Sequence, residues 1–297
     1  MQSSSDYVEM SVELFTKDLE PVSDLFTALG ALALTESDAG GEEIIEPSPT
    51  EEIGWQHTCL TALFAGDENL ESVLLTLSQH YPLLRPTIRY VQNQNWVTAW
   101  QKDFKPICFG ERLWVCPSWL PCPHPDATNV MLDPGVAFGT GTHPTTALCL
   151  KWLDAHVSNQ STLVDYGCGS GILAIAAVKL GAKTAIGVDY DPQAIESSRA
   201  NAQKNKISAE QFICYLPEDC PQGLKADIVI ANIVANPLIQ LAPRLCELLK
   251  DDGQLVLSGI LESQVDTVIA AYAPWLTLTL TESKEEWVLL SGKKVAM

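Results

Sequence analysis

The sequence predicts an α/β protein in two parts: a seven-stranded, mostly parallel sheet covered by helices, and a smaller α+β unit before it. Three observations carry this. From residue 162 onward, short apolar strands alternate with helix-length runs, the pattern of a parallel sheet with both faces buried. At the head of that alternation, residues 162–181 read as a strand, a glycine turn and a helix. Residues 6–91 keep a different order, β-α-β-β-α-β.

In the first part, residues 6–15 alternate as a strand with Val8, Met10, Val12 and Leu14 on one face. A helix over 19–29 stops at Gly30, and a strand over 31–35 follows. An acidic loop over 36–52 holds seven Asp or Glu residues and no Lys or Arg, a solvated stretch that also suits steering of a basic partner. Residues 55–64 form a third strand. Asp67-Glu-Asn69 opens a helix that ends near His80, its acids at the positive end of the helix dipole. Residues 87–91 close the unit as a strand. This is the ferredoxin-like order, and 1–91, which carries no cluster of catalytic side chains, is expected to be a substrate-recognition domain.

Residues 92–110 are expected to form a helical connector. Trp96, Trp100 and Phe104 recur at i, i+4 and i+8, one helix face that suits packing, and Pro106 ends the run. The second domain then spans 111–297, with strands expected over 112–116 and 129–132. Asp133-Pro-Gly-Val-Ala-Phe-Gly-Thr-Gly-Thr-His-Pro-Thr-Thr146 follows, turned by its glycines, and Pro144 suits the first turn of a helix. The threonine hydroxyls at that helix start fit a ligand contact or a helix cap equally well.

Gly167, Gly169 and Gly171 let the backbone turn sharply and lie against a ligand with no Cβ between them. The helix over 172–180 starts there with unpaired N–H groups suited to something anionic. The spacing is G-x-G-x-G, and Ile172 stands where a dinucleotide fingerprint needs its third glycine. The next strand, over 184–189, ends on Asp189, placed to accept the hydroxyls of a ribose. Beyond it come a helix over 192–204, strands over 211–214 and 226–230, a helix over 238–249, a strand over 254–257 and a helix over 263–271. Consecutive strands over 276–280 and 287–290 are expected to form an antiparallel hairpin.

With its glycine turn and strand-end acid, this stretch resembles the class I S-adenosylmethionine-dependent methyltransferases. That likeness implies a Rossmann-like seven-stranded domain whose turn receives the methionine end of the cofactor and whose acid holds the ribose. Taken together, the 133–146 loop, Asp165-Tyr-Gly-Cys-Gly-Ser-Gly171, Asp189-Tyr-Asp-Pro192 and Ala231-Asn-Ile-Val-Ala-Asn-Pro-Leu238 are similar to the ribosomal protein L11 methyltransferase family. Gly110-Glu-Arg-Leu-Trp114 and Lys284-Glu-Glu-Trp287 extend the likeness, which covers residues 93–292 well and the first domain more in pattern than in residues. It implies methylation of lysine side-chain and N-terminal amines of a protein at the base of the large-subunit stalk. It also implies cofactor contacts at Thr146, Gly167, Asp189 and Asn232, with Gly169 in the same turn. Asn232 would hold either the amine or the cofactor. His143 is the one histidine near the loop and reads as a loop residue rather than a base.

Composition narrows the partners. Lys plus Arg is 18 against 37 for Asp plus Glu, a net charge of −19, which opposes direct nucleic-acid binding and favours cationic partners. No apolar run reaches the roughly 18 residues of a membrane span, and Met1-Gln-Ser-Ser-Ser-Asp6 lacks the parts of a signal peptide. Nine cysteines without a CxxC pair suggest neither a disulfide framework nor a zinc site, so a reduced, cytoplasmic protein without metal is expected, most simply as a monomer. Methylation of another protein, a nucleic acid or a small molecule stays open, as does a methyltransferase-like binding module with no activity. The intact glycine turn and Asp189 oppose the last of these.

Overall fold

Alternation builds the first sheet. In the computed structural model, which describes residues 7–39, 57–91, 104–133 and 143–294, Tyr7–Phe15 (β1) buries Val8, Met10, Val12 and Leu14 on one face. It pairs antiparallel with His57–Ala65 (β3) and Thr87–Val91 (β4), and Ala33–Asp38 (β2) flanks β3, giving the order β2-β3-β1-β4. Leu19–Ala28 (α1) and Leu70–His80 (α2) supply Val22, Phe26, Val73 and Leu77 to the same core. Phe26 meets Phe64 edge-on with ring centroids 6.1 Å apart. Asn69 caps α2 by accepting the Ser72 N–H. Strand β2 starts later than the sequence suggests for a local reason: the Ala31 N–H closes α1 on the Phe26 carbonyl, after Gly30 turns at φ +92°.

The chain divides into two compact units between Asp103 and Phe104. Trp96 and Trp100 lie outside the described residues. The expected connector helix does not reach 110, because Ile107–Phe109 is a strand (β5) paired antiparallel with Leu113–Cys116 (β6). A tertiary contact decides this. Gly110 turns at φ +78° where any Cβ would overlap the Asp154 carboxylate, and that buried carboxylate accepts the Glu111 N–H at 2.7 Å. Thr128–Met131 (β7) then runs parallel to β6 to complete a three-stranded sheet.

The main sheet holds Thr162–Tyr166 (β8), Thr184–Val188 (β9), Phe212–Tyr215 (β10), Ala226–Asn232 (β11), Leu249–Leu261 (β12), Thr279–Lys284 (β13) and Trp287–Lys293 (β14), in the order β10-β9-β8-β11-β12-β14-β13. The first five run parallel, and β14 is antiparallel to both its neighbours. Successive residues of β11 face opposite cores, as the pleat requires. Ile228 and Ile230 join the core under Pro144–His156 (α3), Ile172–Leu180 (α4) and Pro192–Lys204 (α5). Val229 and Ala231 join the one under Ala235–Gln240 (α6), Ala242–Glu247 (α7) and Val265–Tyr272 (α8).

Several boundaries differ from the sequence reading, and three of the differences have a visible cause or size. The single helix expected over 238–249 is the pair α6 and α7, broken at Leu241 because Pro243 occupies the first turn of the second. Strand β12 is thirteen residues long, far beyond 254–257. The first hairpin strand lies at 279–284 rather than 276–280: Leu276 and Leu278 are buried as apolar anchors ahead of the ladder.

Tyr272 shows how the second core is sealed. Its ring is fully buried and its hydroxyl donates to the Leu238 carbonyl at 2.7 Å, joining α8 to α6. Tyr272→Phe leaves that carbonyl unpaired and should lower stability by about 1–2 kcal/mol. A urea midpoint equal to wild type would show that the bond contributes nothing.

Candidate functional site

Strand order reverses beside β8, whose neighbours β9 and β11 leave in opposite directions, and ligands of open α/β sheets lie at such switch points. The chain leaves β8 through Gly167, Gly169 and Gly171, at φ +79°, +52° and +77°. The Gly167 and Cys168 N–H groups both donate to the Val188 carbonyl at the end of β9, at 2.7 and 3.1 Å. Asp189, only 7% exposed, accepts the Gly169 N–H at 2.8 Å on one carboxylate oxygen and the Asp191 N–H at 3.1 Å on the other. Each oxygen retains a second lone pair, so the carboxylate is aimed by the backbone and can still accept hydroxyls.

Gly167 also serves the fold. A Cβ there would overlap the Ile233 side chain, so Gly167 makes room for the segment leaving β11. Gly259 performs the same service from β12: at φ +84°, any Cβ would overlap the Ile233 carbonyl oxygen. On that clamped segment, Asn232 donates from Nδ2 to Thr146 Oγ1 at 3.3 Å. Thr146 is buried in the first turn of α3.

His143 caps α3. Its Nδ1 lies 3.3 Å from the Thr145 N–H and 2.8 Å from Thr145 Oγ1. Burial holds its pKa below the ordinary histidine range, with Glu285 pulling the other way. Its ring meets Trp287 edge-on at 5.1 Å, so the C-terminal hairpin abuts the start of α3.

Of the residues singled out from the sequence, Gly167, Gly169 and Asp189 thus surround one turn, Thr146 and Asn232 touch each other, and Ile233 packs between the two groups. Residues 134–142 of the glycine-rich loop lie outside the described residues.

Asp165, already part of the motif, gains a role the sequence did not assign it, and polar residues on and just past α5 escaped sequence reasoning. Asp165 is buried with one oxygen accepting the Ala174 N–H at 3.2 Å and the other without a hydrogen-bond partner among the described residues. Burial pushes its carboxyl up to about 7, the Ala174 N–H opposing and the Asp189 charge assisting. On α5, Ser198 and Asn201 donate to the Gly169 and Ser170 carbonyls, each at 2.9 Å. Just past α5, Asn205 pairs with both backbone groups of Met131, and Lys204 bonds Asp133 at 2.6 Å. The available signal was polar residues at i, i+3 and i+7 of a helix, where burial calls for apolar ones.

A mostly parallel seven-stranded sheet with an antiparallel β14, a G-x-G-x-G turn and an acid just past the next strand is the arrangement of class I methyltransferases. The chain matches the family described as Ribosomal protein L11 methyltransferase (PrmA) over residues 6–295. The ribosomal protein L11 methyltransferase of Klebsiella pneumoniae is 47% identical over 292 residues, covering 97% of this chain and 99% of that protein. That of Shewanella woodyi is 46% identical over 290 residues, covering 96% and 98%. Among solved structures, the ribosomal protein L11 methylase of Lactobacillus delbrueckii subsp. bulgaricus is 31% identical with a TM-score of 0.58, covering 65% of this chain and 100% of that one. The chain belongs to the ribosomal protein L11 methyltransferase family.

Asp165 gives the site a pH signature. Its folded-state carboxyl titrates near 7, against ~3.9 in an unfolded chain. The folded protein therefore binds more protons between those values, and stability falls as pH rises through that window. Asp165→Asn cannot ionise, so wild type should lose stability relative to the variant between about pH 4 and about pH 7. Parallel urea midpoints across that range would remove Asp165 as the titrating group.

Proposed function

We propose that this chain transfers methyl groups from S-adenosylmethionine to lysine side-chain amines and the N-terminal amine of ribosomal protein L11. The observation that carries the reading is Asp189, fixed at the end of β9 by the glycine turn it faces. The residues present fit the cofactor: a carboxylate for ribose hydroxyls, a positive-φ turn opening α4, and the buried Asp165 oxygen awaiting a partner. When bound, the cofactor supplies a methyl group on a positively charged sulfur. Thr146, Gly167, Gly169, Asp189 and Asn232 are its contacts.

The protein's own task is to present a neutral amine in line with that methyl group. An ordinary lysine with pKa ~10.4 needs about 4.6 kcal/mol to lose its proton at pH 7. Desolvation at the switch point lowers that requirement. Asn232 gives a hydrogen to Thr146, and its carbonyl oxygen can accept an amine N–H. His143 serves as the helix cap, its Nδ1 engaged by the Thr145 N–H and hydroxyl. It holds α3, and with it Thr146, in place.

The first unit is a ferredoxin-like domain that recognises the protein substrate, and the second is a Rossmann-like domain that holds the methyl donor. A net charge of −19 favours a basic ribosomal protein and opposes direct contact with nucleic acid. The enzyme works as a cytoplasmic monomer. Incubating it with labelled S-adenosylmethionine and whole ribosomal subunits should label L11, and label confined to ribosomal RNA would overturn the reading.

Two variants separate the roles. Asp189→Asn loses charge-assisted hydrogen bonds worth ~1.5–3 kcal/mol each, so donor affinity should fall at least about tenfold by calorimetry. An unchanged dissociation constant would refute the ribose assignment. A chain lacking residues 1–103 should keep donor affinity within a few-fold and lose methylation of L11. Normal turnover of L11 by that folded truncation would reduce the first unit to a cap.

A further inference from the structure

The three-stranded sheet carries a group of sulfur atoms that the candidate site does not use. Strands β6 and β7 pair in register, with Trp114 opposite Asn129 and Cys116 opposite Met131. Side chains alternate along a strand, so these four share one face of the small sheet. The Pro-rich stretch after β6 folds back over that face. The Leu120 N–H turns it on the Pro117 carbonyl at 3.1 Å. Asn129 Nδ2 holds the His124 and Ala127 carbonyls at 2.9 Å each, and the His124 ring packs on Trp114 with centroids 4.9 Å apart.

That return lays the half-buried Cys122 over the buried Cys116. Cys122 Sγ donates to Met131 Sδ at 3.6 Å, and Cys116 Sγ donates to Asn129 Oδ1 at 3.7 Å. Both thiols thus lie against neighbouring residues of β7, and they also interact with each other. A thiol is a weak hydrogen-bond donor, so giving up these two bonds costs little. Burial, with Cys122 beside it, pushes the Cys116 thiol up to about 12. Cys122 is therefore the thiol that reacts first, since the thiolate is the nucleophile and Cys122 is the one that solvent reaches.

We propose that Cys116 and Cys122 are a modification site, closing to a reversible disulfide by exchange with a low-molecular-weight disulfide such as glutathione disulfide. The Cys122 thiolate attacks one sulfur of the small disulfide, which leaves as a thiolate and takes up a proton. Cys116 then gives its proton to solvent and attacks Cys122 Sγ, expelling the second glutathione as a thiol. Two protein thiols are oxidised and one small disulfide is reduced to two thiols. The ring so closed contains Ser118, whose N–H and hydroxyl both reach the Asp133 carboxylate at 2.7 Å. The Cys116 carbonyl itself accepts the Leu132 N–H at 3.0 Å. Both fastenings meet where the chain leaves β7, so the covalent ring restrains the loop from lifting off Asp133.

The test treats the reduced, full-length protein with glutathione disulfide, unfolds it, alkylates the remaining thiols and maps them by mass spectrometry. Cys116 and Cys122 should escape alkylation together, their peptide lighter by two hydrogens, and dithiothreitol should restore both. Cys116→Ser should trap glutathione on Cys122, and Cys122→Ser should leave Cys116 fully alkylated. Cys116 is buried, so if Cys116→Ser fails to fold, the half-buried Cys122→Ser decides alone. In the oxidised wild type, hydrogen exchange at the Ser118 N–H should slow about fivefold or more. Wild-type protein that stays alkylated at both positions, or keeps glutathione on Cys122 without closing the ring, overturns the disulfide. A closed ring with unchanged exchange at Ser118 overturns its hold on Asp133.

Discussion

Gly169 is held from both sides, its N–H by Asp189 and its carbonyl by Ser198, at 2.8 and 2.9 Å. Much of the site is organised around that double grip. It joins the end of β9 to α5 through a turn whose three glycines all sit at positive φ, where side chains are strained. It aims the Asp189 carboxylate and orients the peptides that open α4. A turn left to itself has many near-equal conformations. This one is fixed because buried donors and acceptors must be paired.

The electrostatics of the site follow from that packing. Asp165 and Asp189 both lie near the turn, and burial makes two negative charges there unfavourable. The protein holds a proton on Asp165 more readily than an ordinary carboxyl would. A cationic ligand relieves the same strain by supplying positive charge.

The other wall is built from distant segments meeting at Ile233. Gly167 and Gly259, far apart in sequence, both leave room for it, and that places Asn232 against Thr146. His143 caps α3 from the front, and Trp287 packs against the His143 ring from the hairpin. Lys204 and Asn205 fasten Met131 and Asp133. Residues on these loops are therefore anchored by packing and hydrogen bonds from several elements of the scaffold.

Local chemistry alone was enough for the elements with strong periodicity or unmistakable punctuation. Strand β1 alternates, α4 stops at Gly181, α5 begins at Pro192 behind its Asp191 cap, and Asp189 directly follows β9. For the same reason the turn glycines and the carboxylate of Asp189 beside them were legible, since positive φ is open to glycine and a short acid suits the end of a strand. Tertiary structure decided the rest. Residues 107–109 became a strand because Asp154 fills the space beside Gly110, and β12 lengthened because β11 and β14 pair along it. Thr146 met Asn232, and Ser198 and Asn201 reached the turn, only once the sheet brought α3, β11 and α5 to one end. A sequence records which groups can bond. The long-range contacts that choose their partners exist only after the chain has folded.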